Sequence, residues 1–173
     1  MPKPASGSPY DRARELLSRL GIKTNPTPVE KIAKILGALI RFAAFDDELS
    51  GMIYIKEGVP IIGINSLHHP NRQRFTIAHE VGHLELHRDM ITSNVHVDKN
   101  ILVLMRNPTS ANGTEKIEIE ANQFAAELLM PQTLIDEALA GKQFDTDDND
   151  PIEDLAKRFR VSKQALQYRI LSS

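Results

Sequence analysis

Apolar residues recur along this chain with two different periods, and the change of period marks out its elements. In YDRARELLSRLG (10–21), Ala13, Leu16, Leu17 and Leu20 share one helical face, and Gly21 supplies a stop. NPTPVEKIAKILG (25–37) repeats the plan. Thr27 is placed to cap, Pro28 suits the first helical position, Val29, Ile32, Ala33 and Leu36 line one side, and Gly37 closes it. The period then shortens to strand type in ALIRFAAF (38–45), GMIYI (51–55) and PIIGIN (60–65), which are separated by the turn-like DDELS and KEGV. These runs predict a small three-stranded antiparallel sheet, covered on one side by helices. PIIGIN is either an internal strand or an edge to which an extended peptide can add as a further strand.

Helical spacing returns from about Asn71 to Arg88, and again in EKIEIEANQFAAELLM (115–130), which Pro131 closes. Between them, residues 89–114 have no period and contain NPTSANGT; this predicts a long irregular connection, of the kind that gates access to a site. A short helix in QTLIDEALAG and the acidic stretch DTDDND (145–150) lead to PIEDLAKRFRVSKQALQYRIL. That end reads as two helices about a turn at Arg160–Ser162, with Ser162 as N-cap. Helices, then strands, then helices make the fold class α+β.

The helix over 74–88 carries the chemistry. On a wheel, Phe75, Ala78, Gly82 and Leu86 form one apolar stripe, and Ile77, Val81 and Leu84 form a second nearly opposite, so the helix is buried on most of its surface. The sector left over holds Thr76, His79, Glu80, His83 and His87. Burying such a strip costs several kcal/mol unless something pairs it. A cation between His79 and His83 does so, because residues i and i+4 stand one above the other and both imidazoles can reach one ion. Glu80 is displaced around the wheel, placed for water beside the ion rather than for the ion itself. Chance gives H-E-x-x-H in a chain of this composition roughly 0.014 times. His87 lies two turns on, beside the metal rather than on it. The third ligand is then a carboxylate of the second strong helix, and Glu118, Glu120 and Glu127 all remain candidates on spacing alone.

Composition narrows the setting. The chain has 173 residues, 41% hydrophobic and 25% charged, with a net charge of −2 and no cysteine. Thiolate metal sites and disulfides are excluded, and a general polyanion binder is disfavoured. The N-terminal residues lack a signal-type apolar core, and ILGALIRFAAF is too short for a bilayer and contains Arg41. The expectation is a cytoplasmic protein with no membrane partner.

RQRFTIAHEVGHLELH (72–87) together with EANQFAAELLMP (120–131) resembles the ImmA/IrrE family of metallo-endopeptidases, a gluzincin-like group among the HExxH zincins. The likeness runs over roughly residues 10–140. It implies a zincin-like minimal metalloprotease, with 10–144 the peptidase domain; composition makes residues 1–9, rich in Pro, Ser and Gly, a flexible lead, and the amphipathic pattern makes 151–173 a helix-turn-helix-like pair. It implies Zn²⁺, with Mn²⁺ as the alternative, held by His79, His83 and the glutamate directly before the Ala-Asn pair, Glu120; Glu118 and Glu127 then fall off the metal. Glu80 is the implied general base, and His87 is implied either to support a metal ligand from outside or to stabilise the transition state. The implied substrate is a regulatory protein, a helix-turn-helix transcriptional repressor or antitoxin-like partner in a stress response. The alternative is a metal-bearing interaction module without hydrolysis that contacts DNA through its C-terminal helices. There Lys163, Gln164, Gln167, Tyr168 and Arg169 are expected on the exposed second-helix face, although packing of the pair on the peptidase domain is favoured over DNA contact.

Overall fold

The computed structural model describes residues 7–93, 96–99, 113–140 and 150–172. Ser8 opens the first helix, α1 (Pro9–Arg19): its hydroxyl accepts from the Asp11 N–H while the Asp11 carboxylate takes the Ser8 N–H. The second, α2 (Val29–Ile35), starts differently from expectation. Pro28 is itself the N-cap and Thr27 makes no capping bond; Thr27 is buried, and its carbonyl accepts from the Val29 N–H and from Arg74 at 3.0 Å. A long-range guanidinium therefore fixes the start of this short helix.

Strands β1 (Leu39–Ala43), β2 (Leu49–Lys56), β3 (Val59–Asn65) and β4 (His96–Lys99) form one sheet in the order β1-β3-β2-β4. β2 and β3 are a hairpin, turned by Glu57 and Gly58, both at positive φ, as a two-residue loop requires. The α+β class agrees with expectation, but the sheet is not an antiparallel meander. β1 lies parallel to β3, and the 44–48 connection crosses the end of β3 to reach β2. Asn65, buried at that end, explains the crossing. Its amide nitrogen donates to the carbonyls of Asp46 at 3.2 Å and Leu49 at 2.8 Å, and its oxygen accepts from Leu67 N–H at 3.1 Å. As a result β3 is internal, with Ile62 and Ile64 fully buried, and PIIGIN, already paired on both sides, is no peptide-accepting edge.

The motif helix is α3 (Pro70–Leu86), and α5 (Gly113–Leu129) packs along it; α3 contacts β2 and β3 with its other side. The expected irregular connection contains α4 (Arg88–Ser93) as well as β4, which joins the sheet beside β2. The rest of that connection, 94–95 and 100–112, lies outside the described residues, as do the lead 1–6 and most of the acidic stretch. Among the described residues, no helix is long and apolar enough to cross a membrane.

After α6 (Gln132–Ala140), helices α7 (Pro151–Phe159) and α8 (Lys163–Leu171) meet at Arg160, in left-handed conformation, and Ser162 caps α8 as expected. Leu155, Phe159, Val161 and Leu166 join the same buried cluster as Leu16, Ile53, Ile77, Phe124 and Leu128. Arg169 departs from the expected exposed face. It stands three residues after Leu166, which turns it inward: it is buried, pairs with Glu127, donates from Nε to the Met130 carbonyl at 3.3 Å, and lies over the Tyr10 ring at 5.0 Å. Burial in turn pushes the Tyr10 phenol above its usual range.

Candidate metal centre

Close approach of α3 and α5 comes first, because it decides which side chains meet. A Cβ added at Gly82 would stand 3.2 Å from both the Ala121 carbonyl oxygen and the Phe124 ring, so a glycine facing a small residue sets the spacing. That phase of α5 turns Glu118 and Asn122, one helical turn apart, onto the histidine strip of α3.

His79 and His83 are fully buried, and their Nε2 atoms stand 3.0 Å apart. Glu118 Oε2 is 3.2 Å from His79 Nε2, and its Oε1 is 3.4 Å from His83 Nε2. These three residues offer ligand atoms all within 4.8 Å of one another. On the outer side, His79 Nδ1 is 2.8 Å from Asn122 Oδ1, and His83 Nδ1 is 3.1 Å from His87 Nδ1. An amide oxygen only accepts, so His79 carries its proton on Nδ1 and turns a lone pair inward from Nε2. Two nitrogens and a carboxylate facing one another at this range repel unless positive charge lies among them. The donors suit a divalent ion: two ligands about 2.0 Å from a tetrahedral centre are separated by roughly 3.3 Å.

The resemblance expects Glu120 at this point, whereas the structure brings Glu118 there. Glu120 lies two residues further along α5, about 200° around the helix. Its Oε2 meets His87 Nε2 at 2.9 Å, and its Oε1 lies 3.8 Å from Lys116 Nζ. Glu127 is remote from the site, held by Arg14 Nε at 2.9 Å and by Arg169.

Glu80 is fully buried between α3 and the sheet. A Cβ at Gly51 would lie 2.9 Å from Glu80 Oε1, 2.5 Å from Thr76 Cγ2 and 3.0 Å from the Gly63 carbonyl. Only glycine lets the β2 backbone lie on that carboxylate. Thr76 returns its hydroxyl to the Arg72 carbonyl at 2.9 Å, and Arg72 reaches Ser50 Oγ at 3.0 Å, so the residues around Glu80 are tied to both helix and strand. Sequence reasoning passed over Gly51 and Asn122. For Asn122 a signal existed, since Glu118 and Asn122 are spaced i, i+4 and are followed by Ala125, a polar pair on a small-residue face. For Gly51 there was none, because its need arises from a contact with a helix far along the chain.

Two imidazoles of α3 and a carboxylate of α5, with the buried Glu80 directly after His79, form a donor set that suits a cation. The comparisons with known proteins agree. The IrrE N-terminal-like domain of peptidase family M78 matches residues 33–171, and the chain belongs to that family. The matched stretch omits α1 and the start of α2 but takes in α7 and all of α8. The radiation response metalloprotease IrrE of Deinococcus radiodurans is 35% identical over 112 residues, 64% of this chain and 30% of that protein. A Mycobacterium tuberculosis transcriptional regulator superposes with a TM-score of 0.60 at 18% identity, covering 94% of this chain and 46% of that one, a likeness of fold. The chain thus spans about a third of the length of the curated relative it matches.

Proposed function

We propose that this chain is a metal-dependent endopeptidase, and that His79, His83 and Glu118 hold its ion. One observation carries the proposal: two inward-facing Nε2 atoms and both Glu118 oxygens converge, and the buried Glu80 directly follows His79 on the same helix. Membership of a peptidase family and the metalloprotease relative support it. Zinc suits two imidazoles and a carboxylate, and manganese is the alternative. When bound, such an ion supplies Lewis-acid chemistry, polarising a carbonyl and drawing the pKa of water toward neutrality.

The residues of the chain do the rest. Glu80 takes a proton from the attacking water as the new C–O bond forms at the peptide carbonyl. It then delivers that proton to the amine nitrogen as the C–N bond breaks, base first and acid second. Asn122 holds His79 in the tautomer that faces the site. The packed sheet excludes bulk water from the Glu80 side, where Gly51 closes over the carboxylate. The substrate we assign is a regulatory protein, in keeping with the helix-turn-helix repressors that the family resemblance implies. The competing class, a module that binds but does not cut, has no use for a buried carboxylate directly after a metal-facing histidine.

Glu80→Gln distinguishes the two. The variant retains the ion, measured by elemental analysis, and cleavage of a co-purified or neighbouring repressor falls by about 10²–10⁴-fold. Undiminished cleavage by the variant removes Glu80 from its role.

A further inference from the structure

Beyond the ligands themselves, and resting on the metal reading above, the geometry points to Glu120 and His87 as a positioning pair that fixes the tautomer of His83. The chain of contacts runs outward from the site. His83 Nδ1 lies 3.1 Å from His87 Nδ1, and His87 Nε2 lies 2.9 Å from Glu120 Oε2.

Protons can be assigned along it from the far end. A carboxylate only accepts, so His87 carries its proton on Nε2 and donates it to Glu120. In a neutral His87 the other nitrogen, Nδ1, is then an acceptor. His83 must fill it by donating from its own Nδ1, which leaves the His83 Nε2 lone pair facing Glu118 and His79. Without an acceptor at position 120, His87 is free to present the opposite tautomer. His83 could then carry its proton on Nε2, pointing into the site and occupying the lone pair a cation needs. Ligand imidazoles are generally held by such a partner, which fixes the ring and raises its basicity.

The two ligands are thus oriented by different means. His79 answers to a neutral, buried amide, Asn122, whereas His83 answers to a carboxylate acting through a second imidazole. That carboxylate is partly exposed, with its side chain at 31% accessibility, and its second oxygen faces Lys116 at 3.8 Å. His87 is suited to the middle of the chain by its position. It caps the C-terminus of α3, where its N–H still bonds the His83 carbonyl at 2.8 Å, so backbone and ring are both tied to the residue it orients. This gives His87 a task distinct from contact with substrate, and Glu120 a task distinct from ligation.

The test compares Glu120→Leu, Glu120→Gln and Glu118→Gln with the parent chain. Metal affinity is measured by chelator competition. The N–H protons of the bound imidazoles are observed by proton NMR of the Co²⁺-loaded protein, where they are shifted clear of other signals. The parent should show two exchangeable imidazole signals, one each from His79 and His83. Glu120→Leu should keep the ion with affinity lowered about 10–100-fold and lose or broaden one of the two signals. Glu120→Gln, whose amide oxygen still accepts from His87, should recover both. Glu118→Gln should lose far more affinity than either. If Glu120→Leu empties the site as fully as Glu118→Gln does, Glu120 is a ligand and the positioning pair is refuted. Unchanged affinity with both signals intact in Glu120→Leu refutes it equally. A parent chain that takes up no ion overturns the metal reading itself, a result distinct from either of these.

Discussion

At the scale of single residues, the centre is a problem of charge solved by placement. Each buried imidazole has one nitrogen committed to a partner, Asn122 for His79 and His87 for His83, and the other turned toward Glu118. Next to that set, Glu80 depends on the absence of a side chain at position 51. Gly51→Ala should force the carboxylate aside, since its Cβ would come within 2.9 Å of Oε1. We expect hydrolysis to fall by about 10²-fold, as small misplacements at a reacting centre do, while ion content stays at parent levels. Full activity in Gly51→Ala would show that Glu80 tolerates displacement. Much of this scale was legible in the sequence. His79, Glu80 and His83 stand out because a polar strip on an otherwise apolar helix demands a partner. The choice of carboxylate was not legible, because Glu118 and Glu120 differ only in helix phase, and that phase is set by Gly82 against Ala121 across the interface.

Among elements, α5 is clamped at both ends. Its first half presents Glu118 and Asn122 to α3, and its second half buries Glu127 between Arg14 of α1 and Arg169 of α8. Removing one member of a buried ion pair leaves uncompensated charge. Glu127→Ala should therefore destabilise the fold by about 3–5 kcal/mol in chemical denaturation, with the ion retained in the folded fraction. Loss of the ion without loss of stability would contradict this division of labour. The α7–α8 pair has its own electrostatic tie. The hydrogen bond from Lys163, followed by the N–H groups of Glu153 and Ile152, holds the Asp150 carboxyl below its ordinary range; Lys163 is raised by the same bond. A depressed carboxyl stabilises the folded state above its unfolded pKa, and that contribution fades as pH falls through the folded value. A raised ammonium loses its contribution as pH climbs through its own. Protection of the α7 amides, taken as exchange relative to the intrinsic base-catalysed rate at each pH, should thus be greatest between those limits and weaken on acidification, an effect that Asp150→Asn removes. Among the described residues, period alone located every helix but α4, and the β2–β3 hairpin, to within a few residues. It missed the parallel β1–β3 pairing, which depends on Asn65 stitching a crossing connection, and it missed β4 inside a segment with no repeating pattern.

For the molecule as a whole, one core extends from α1 through the sheet to α8. The C-terminal pair resembles a helix-turn-helix in sequence, yet its second helix turns Arg169 inward to Glu127 and spends its apolar face on that core. This supports the packing role over a DNA-reading one. It also fits a family match that runs through residue 171. On the proposed reading, the whole arrangement serves to hold a cation between α3 and α5, with the sheet covering Glu80. Metal stoichiometry tests that most directly. After loading with Zn²⁺ or Mn²⁺ and gel filtration, the parent chain should retain a single divalent ion, and both Glu118→Gln and the double variant His79→Ala/His83→Ala should emerge without it. A parent chain that retains none, or a double variant that retains as much as the parent, would contradict the account.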